Sequence, residues 1–222
     1  NYCSFVADKI SGTQLMSMSE MLEYIDDKKA FEDMLEILDV SASSIRNAIC
    51  TGRLAFKESL TLDELLFMKR HTSRPVKITL PGPYLLTRSM WLAGLSDRFY
   101  DRKEALGNDV LAILKQEIGI LQENGVDVIQ FDEPVLTEVV FTEGKHRSFM
   151  CAALSEKKDP EEELAFAAGL IQEAVGFIDT AKTVASLHVC RGNWSNKEST
   201  LLAGPYTALL ETLEKSKAQM LT

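Results

Sequence analysis

Hydrophobic positions first recur at helical spacing between residues 13 and 38, with Leu15, Met18, Leu22 and Ile25 and then Phe31, Met34, Leu35 and Leu38 three or four apart. This predicts a helical segment broken at Asp26 to Lys29, with a short helix or turn from Ser41 to Ser44 and a strand over Gly52 to Lys57. From Thr61 onward the period alternates between the two regular values. Thr61 and Glu64 have the spacing of a capping box for a helix through Arg70, and Pro75 to Leu80 reads as a strand that stops at Pro81, Gly82 and Pro83. A helix from Tyr84 to Leu95 is followed by a longer one over Asp101 to Asn124, whose Leu111, Leu114, Ile118 and Leu121 share a face and whose C′ residue is Gly125. Val126 to Phe131 is the next strand. Asp159 as N-cap and Pro160 at N1 open a helix with one apolar stripe from Leu164 to Ile178, and the strand from Thr183 runs into His188 and Cys190.

Strand, loop, helix, strand is the grammar of a parallel sheet with right-handed crossovers, which place the carboxyl ends of successive strands on one rim. The polar clusters fall at those ends: Gly82 between prolines, Asp132 with Glu133, and His188 with Cys190. The expected fold is therefore α/β, of the TIM (β/α)8-barrel type, with a doubly wound open sheet as the rival. Only four or five strands are legible and Met220 to Thr222 reads as the start of another, so we expect residues 1–222 to form a single, partial barrel, incomplete at the chain ends. No strand is followed by a Gly-rich nucleotide-binding turn.

Composition narrows the partners. The 222 residues are 45% hydrophobic and carry a net charge of −9, which disfavours nucleic acid or an anionic membrane as partner, because both need clustered Lys and Arg. No apolar run approaches the ~20 residues of a membrane span, and the amino terminus lacks a signal pattern, so a cytoplasmic protein is expected. The four cysteines, Cys3, Cys50, Cys151 and Cys190, include no CxxC pair, so a cysteine that binds metal must find distant partners through the fold. Strand alternation puts His188 and Cys190 on one face with Val189 on the other, so imidazole and thiolate can meet one zinc ion. The alternative is a buried His and Cys on a core strand.

Taken together, LPGPYLL (Leu80 to Leu86), IQFDEPVLTE (Ile129 to Glu138), RSFMCAAL (Arg147 to Leu154) and HVCRGNW (His188 to Trp194) resemble the cobalamin-independent methionine synthase family, in particular its short members made of the catalytic barrel alone. The resemblance runs from about Thr51 to Leu201. It implies a zinc methyltransferase that moves a methyl group from 5-methyltetrahydrofolate, or its polyglutamate form, to homocysteine, with His188 and Cys190 as metal ligands and Asp132 on the amino group of the thiol amino acid. The remaining Glu and Cys ligands have no matching motif in this sequence and are expected beyond Thr222. Glu211 and Glu214 lie on a predicted helix with the spacing of a solvated face, and are not taken as ligands.

The chemistry of the residues is consistent with that implication. A thiol with a pKa near ~8.5 is only slightly ionised at neutral pH, and coordination to zinc removes its proton, a gain of roughly 2 kcal/mol. Positioning the donor and protonating the departing amine must supply the rest of the acceleration. Asp132 suits an ammonium partner and equally suits a turn cap. Glu133 alternates to the opposite side and fits a structural salt bridge as well as a catalytic task. Trp91 stands roughly where family members place a tryptophan near the folate ring, and a core tryptophan is the alternative. Arg191 and Asn193 follow the ligand pair on the rim, where they can contact a carboxylate or orient a ligand; Cys151 and His146 receive no role. Two other readings stay open: a related zinc methyltransferase with another thiol or a corrinoid-protein donor, and a metal-free homologue or fragment that only binds ligand.

Overall fold

The structure is a computed structural model that describes residues 4–25, 28–29, 46–141, 159–192 and 202–222. Among the described residues there are two sheets. An antiparallel pair is formed by β1 (Ile10–Ser17) and β2 (Arg46–Phe56), and a parallel sheet is formed by β3 (Lys77–Pro81), β4 (Val128–Asp132), β5 (Val184–His188) and β6 (Met220–Leu221), in the order β3-β4-β5-β6. Each parallel strand lies beside its neighbour in sequence, without the order reversal that marks a doubly wound sheet. The helices are α1 (Met18–Met21), α2 (Leu62–His71), α3 (Pro83–Met90), α4 (Lys103–Glu123), α5 (Val135–Phe141), α6 (Pro160–Gly176) and α7 (Leu210–Lys215).

Period-two alternation divides the parallel sheet into two chemically different faces. Ile78, Leu80, Ile129, Phe131, Ala185 and Leu187 are buried and join Leu85, Leu114, Ile118 and Ile171 of the helices in the main core. The opposite face carries Thr79, Gln130, Asp132, Ser186 and His188, aligned across the strands by the pairings Thr79 with Gln130, Gln130 with Ser186, and Asp132 with His188. Helices thus cover one side of the parallel sheet, and a polar row lies on the other.

Several local signals act as the sequence suggests. Asp159 accepts hydrogen bonds from the amides of Glu161 and Glu162 to open α6, and Gly125 takes φ +72 just past the end of α4, a left-handed conformation cheap only for glycine. Met220 and Leu221 do form a strand.

Other expectations are corrected. Thr13 to Ser17 is not helical but the second half of β1, because pairing with β2 satisfies its backbone and buries Met16 while Leu15 faces outward. Residues 30–45 lie outside the described residues, so the later helix and the Ser41 turn do too. Thr61 does not cap α2 through its side chain. Its hydroxyl instead donates to Glu117 Oε1 at 2.8 Å, as one of four donors to that buried carboxylate with Ser59 Oγ and the amides of Leu60 and Thr61. A buried carboxylate with four donors outcompetes a single cap bond. The helix expected from Tyr84 to Leu95 ends at Met90, and the strand expected to carry both His188 and Cys190 ends at His188.

Candidate functional site

Asp132 and His188 are the last residues of β4 and β5 and are direct cross-strand partners. His188 Nδ1 lies 3.2 Å from Asp132 Oδ1. An ionised carboxylate only accepts, so Nδ1 is the donor in this contact. Asp132 Oδ1 also accepts from Gln130 Nε2 at 2.8 Å, and Gln130 Oε1 in turn accepts from Lys77 Nζ at 2.8 Å and Thr222 Oγ1 at 3.3 Å. Among the described residues Asp132 Oδ2 makes no hydrogen bond, and the Asp132 and His188 side chains stay 18% and 32% exposed, so a small molecule can reach both.

Cys190 stands two residues beyond His188, in the segment that leaves the sheet, and is half-buried. The main chain there is held tightly: His188 O accepts from Glu133 N at 2.9 Å, and Val189 N donates to Thr222 O at 3.0 Å. Arg191 places its guanidinium over the ring of Tyr206, 4.8 Å from the centroid, with Phe141 at 6.0 Å. This is a cation–π cradle rather than an ion pair.

Glu133 faces away from Asp132, as alternation requires, and is fully buried. Its oxygens accept from the amides of Tyr84 at 2.8 Å and Leu85 at 2.9 Å, at the amino end of α3. The carboxyl group therefore replaces the missing first-turn acceptors of that helix and meets the positive end of its dipole. Burial still pushes it up to about 8, against the pull of the two amides. Both oxygens are engaged by backbone, so in place of the substrate contact or salt bridge considered from sequence the structure gives Glu133 a helix-capping role. Gly82 permits this: a Cβ there would lie 2.2 Å from Glu133 Oε1.

Buried ion pairs brace the helices behind the rim. Glu163 bridges Lys103 Nζ at 2.6 Å and the Tyr84 hydroxyl at 2.7 Å, and Arg88 meets Glu138 at 3.0 Å. Trp91 caps the carboxyl end of α3, half-buried against the main core, so one helix of about 12 Å separates it from Gly82 at the rim. Glu211 pairs with Lys215 on exposed α7, as a solvated face requires. Asn193, Cys151 and His146 lie outside the described residues. Among the described residues no group of three or more His, Cys, Asp or Glu side chains is close enough to hold a metal ion, and no helix is long and apolar enough to cross a membrane.

Sequence reasoning missed the Asp132–His188 contact, the capping task of Glu133 and the Thr137 hydroxyl, which reaches Cys190 O at 2.8 Å. The first had a signal, since both residues terminate adjacent strands. The other two depend on which helix packs at which strand end.

Residues 19–203 match the model of a family described as cobalamin-independent synthase, catalytic domain. Over 123 residues, or 54% of this chain, the sequence is 31% identical to a methionine synthase of Pyrococcus furiosus and 32% identical to one of Thermococcus kodakarensis, in each case covering 35% of the relative. It is 29% identical to a 5-methyltetrahydropteroyltriglutamate–homocysteine methyltransferase of Bacillus licheniformis over 16% of that protein's length. The aligned stretch is thus about a third, or less, of the curated relatives. A solved B12-independent methionine synthase from Shewanella sp. W3-18-1, in complex with selenomethionine, superposes with a TM-score of 0.63 at 17% identity, covering 100% of this chain and 54% of that one; it shares the fold.

Proposed function

Because the chain belongs to the cobalamin-independent synthase catalytic-domain family, we propose that it takes part in zinc-dependent methyl transfer from a 5-methyltetrahydropteroyl polyglutamate to homocysteine, giving methionine. The observation that carries this reading is the Asp132–His188 pair at the carboxyl rim, with its Nδ1 to Oδ1 distance of 3.2 Å. A histidine that gives Nδ1–H to a carboxylate offers Nε2 to a metal with its orientation already fixed. Imidazole and thiolate are a donor set suited to zinc, so His188 and Cys190 fit as two ligands, and further donors would come from outside the described residues. We propose a closed β/α barrel as the complete catalytic unit, with β3 to β6 as one arc of its wall, and a cytoplasmic setting, where thiols stay reduced.

When bound, the metal holds the acceptor thiol as thiolate at neutral pH. The chain's own residues do the positioning. Asp132 uses Oδ1 on His188 and has Oδ2 left for the ammonium of the thiol amino acid. Glu133 holds the start of α3 against the same rim, and Arg191, with Asn193 two positions on in sequence, is a candidate contact for a substrate carboxylate. Trp91 stays a candidate donor contact through the family pattern alone. In the transfer the donor N–CH3 bond breaks, the S–CH3 bond forms, and the departing amine takes up a proton.

The test is zinc content and methyl transfer by the full-length protein, wild type against Cys190→Ser. Wild type should hold zinc and methylate homocysteine, and the variant should lose both with its circular dichroism unchanged. Zinc retained by the variant would transfer the ligand role to another residue. Activity on a different thiol but not on homocysteine would reassign the acceptor.

A further inference from the structure

Three consecutive carbonyls beyond β5 are tied down by three different side-chain or main-chain donors. Val189 O accepts from the Tyr206 hydroxyl at 3.4 Å, Cys190 O from Thr137 Oγ1 at 2.8 Å, and Arg191 O from Leu202 N at 3.3 Å. Arg191 in turn stacks on Tyr206, which packs edge-on to Phe141 with ring centroids 6.3 Å apart. Loop carbonyls that face solvent are ordinarily served by water, so a run of three served by protein marks a segment with one preferred conformation. Thr137 is fully buried, and its hydroxyl also lies 2.9 Å from Pro134 O. Its one proton is shared between the two carbonyls, the shorter contact being to Cys190 O, and through that contact it links the two loops that follow Asp132 and His188.

We propose that Thr137 and Tyr206 are positioning residues that fix the main chain of Cys190 at the carboxyl rim before any ligand binds, so that its thiol is aimed by the protein rather than by the metal. This rests on the zinc reading for its purpose but not for its geometry. Ligation tolerates errors of only a few tenths of an ångström, and a segment ordered during folding need not be ordered again on binding.

The experiment compares Thr137→Val with Thr183→Val in the full-length protein. Both remove one buried threonine hydroxyl bonded to a carbonyl, but Thr183 donates to Val126 O, at the opposite end of the strands. The readouts are native-state hydrogen exchange at the Leu202 amide, bonded to Arg191 O, and at the Val189 amide, bonded to Thr222 O beside the anchor, and zinc affinity by chelator competition. Thr137→Val should speed exchange at these two amides about five- to tenfold and weaken zinc about tenfold, while Thr183→Val, with a similar loss of global stability, should change neither. Unchanged exchange in Thr137→Val, or equal effects of the two variants, overturns the proposal. Absence of zinc from the wild type would sink the zinc reading, and the exchange result alone would then decide the anchor. Should Thr137→Val not fold, Tyr206→Phe, which keeps the ring beneath Arg191, must raise exchange at Val189 for the proposal to stand.

Discussion

Replacing Gly82 by alanine should damage the rim through one identifiable clash. Gly82 has φ −68 and ψ 157, an extended conformation that alanine adopts freely, so no backbone strain is expected. The added Cβ would lie 2.2 Å from Oε1, 2.3 Å from Cδ and 2.5 Å from Cγ of Glu133. That side chain is fully buried and engaged with the Tyr84 and Leu85 amides, so it cannot swing into solvent. Displacing it forfeits two amide–carboxyl hydrogen bonds worth about 1 to 3 kcal/mol each, according to the charge on the group, for a total cost of roughly 2 to 6 kcal/mol. Glu133→Ala should cost a similar amount, because it strands the same two amides. It also vacates the space the new methyl group needs, so the double variant should be little worse than Glu133→Ala alone. Urea unfolding of the four proteins would give a coupling free energy of about 2 to 4 kcal/mol. Additivity within about 0.5 kcal/mol would refute the argument, since it would mean that the Gly82 methyl and Glu133 do not compete for one space.

Two further outcomes are expected. The Tyr100 phenol accepts from Leu54 N at 2.7 Å and donates to Asp109 at 2.6 Å, and burial together with that carboxylate pushes it up to about 12. The folded state then keeps a proton that the unfolded state releases near ~10, so its stabilising contribution is intact below about pH 10 and fades as pH rises toward 12; denaturation midpoints of wild type and Tyr100→Phe should converge over that range. Asp132→Asn removes the charge offered to an ammonium, so calorimetry on the zinc-loaded protein should show homocysteine weakened by roughly 1.5 to 3 kcal/mol and a simple thiol lacking the amino group much less affected. Equal losses for both ligands would mean that Asp132 acts only through His188.

What the sequence made legible was local or periodic. Asp159 with Pro160 announces α6, because a cap bond reaches only two or three residues, and Gly125 ends α4 by a conformation intrinsic to glycine. The strand end near Asp132 was legible for the same reason, since apolar alternation stops where polar residues begin, whereas the strand expected to run through Cys190 stops at His188. The misreadings were contests decided at long range. Leu15, Met18, Leu22 and Ile25 do recur at helical spacing, yet Thr13 to Ser17 pairs with residues 46–50, at least 29 positions away. Thr61 and Glu64 have capping-box spacing, yet Glu117, 56 residues on, takes the hydroxyl. In the site, alternation correctly sent Glu133 away from Asp132. That its destination is the start of α3 follows only from β3 lying beside β4.

The polar row on the sheet orients the site through a chain of hydrogen bonds. Lys77 and the Thr222 hydroxyl both donate to one end of Gln130, which makes that end the oxygen and turns the amide nitrogen toward Asp132. Asp132 Oδ1 therefore accepts from a neutral donor on its own strand and from His188 on the next. His188 thus turns Nδ1 to the carboxylate and Nε2 away from it. A lysine four strand positions from the rim thus orients, through one glutamine, the aspartate that His188 faces.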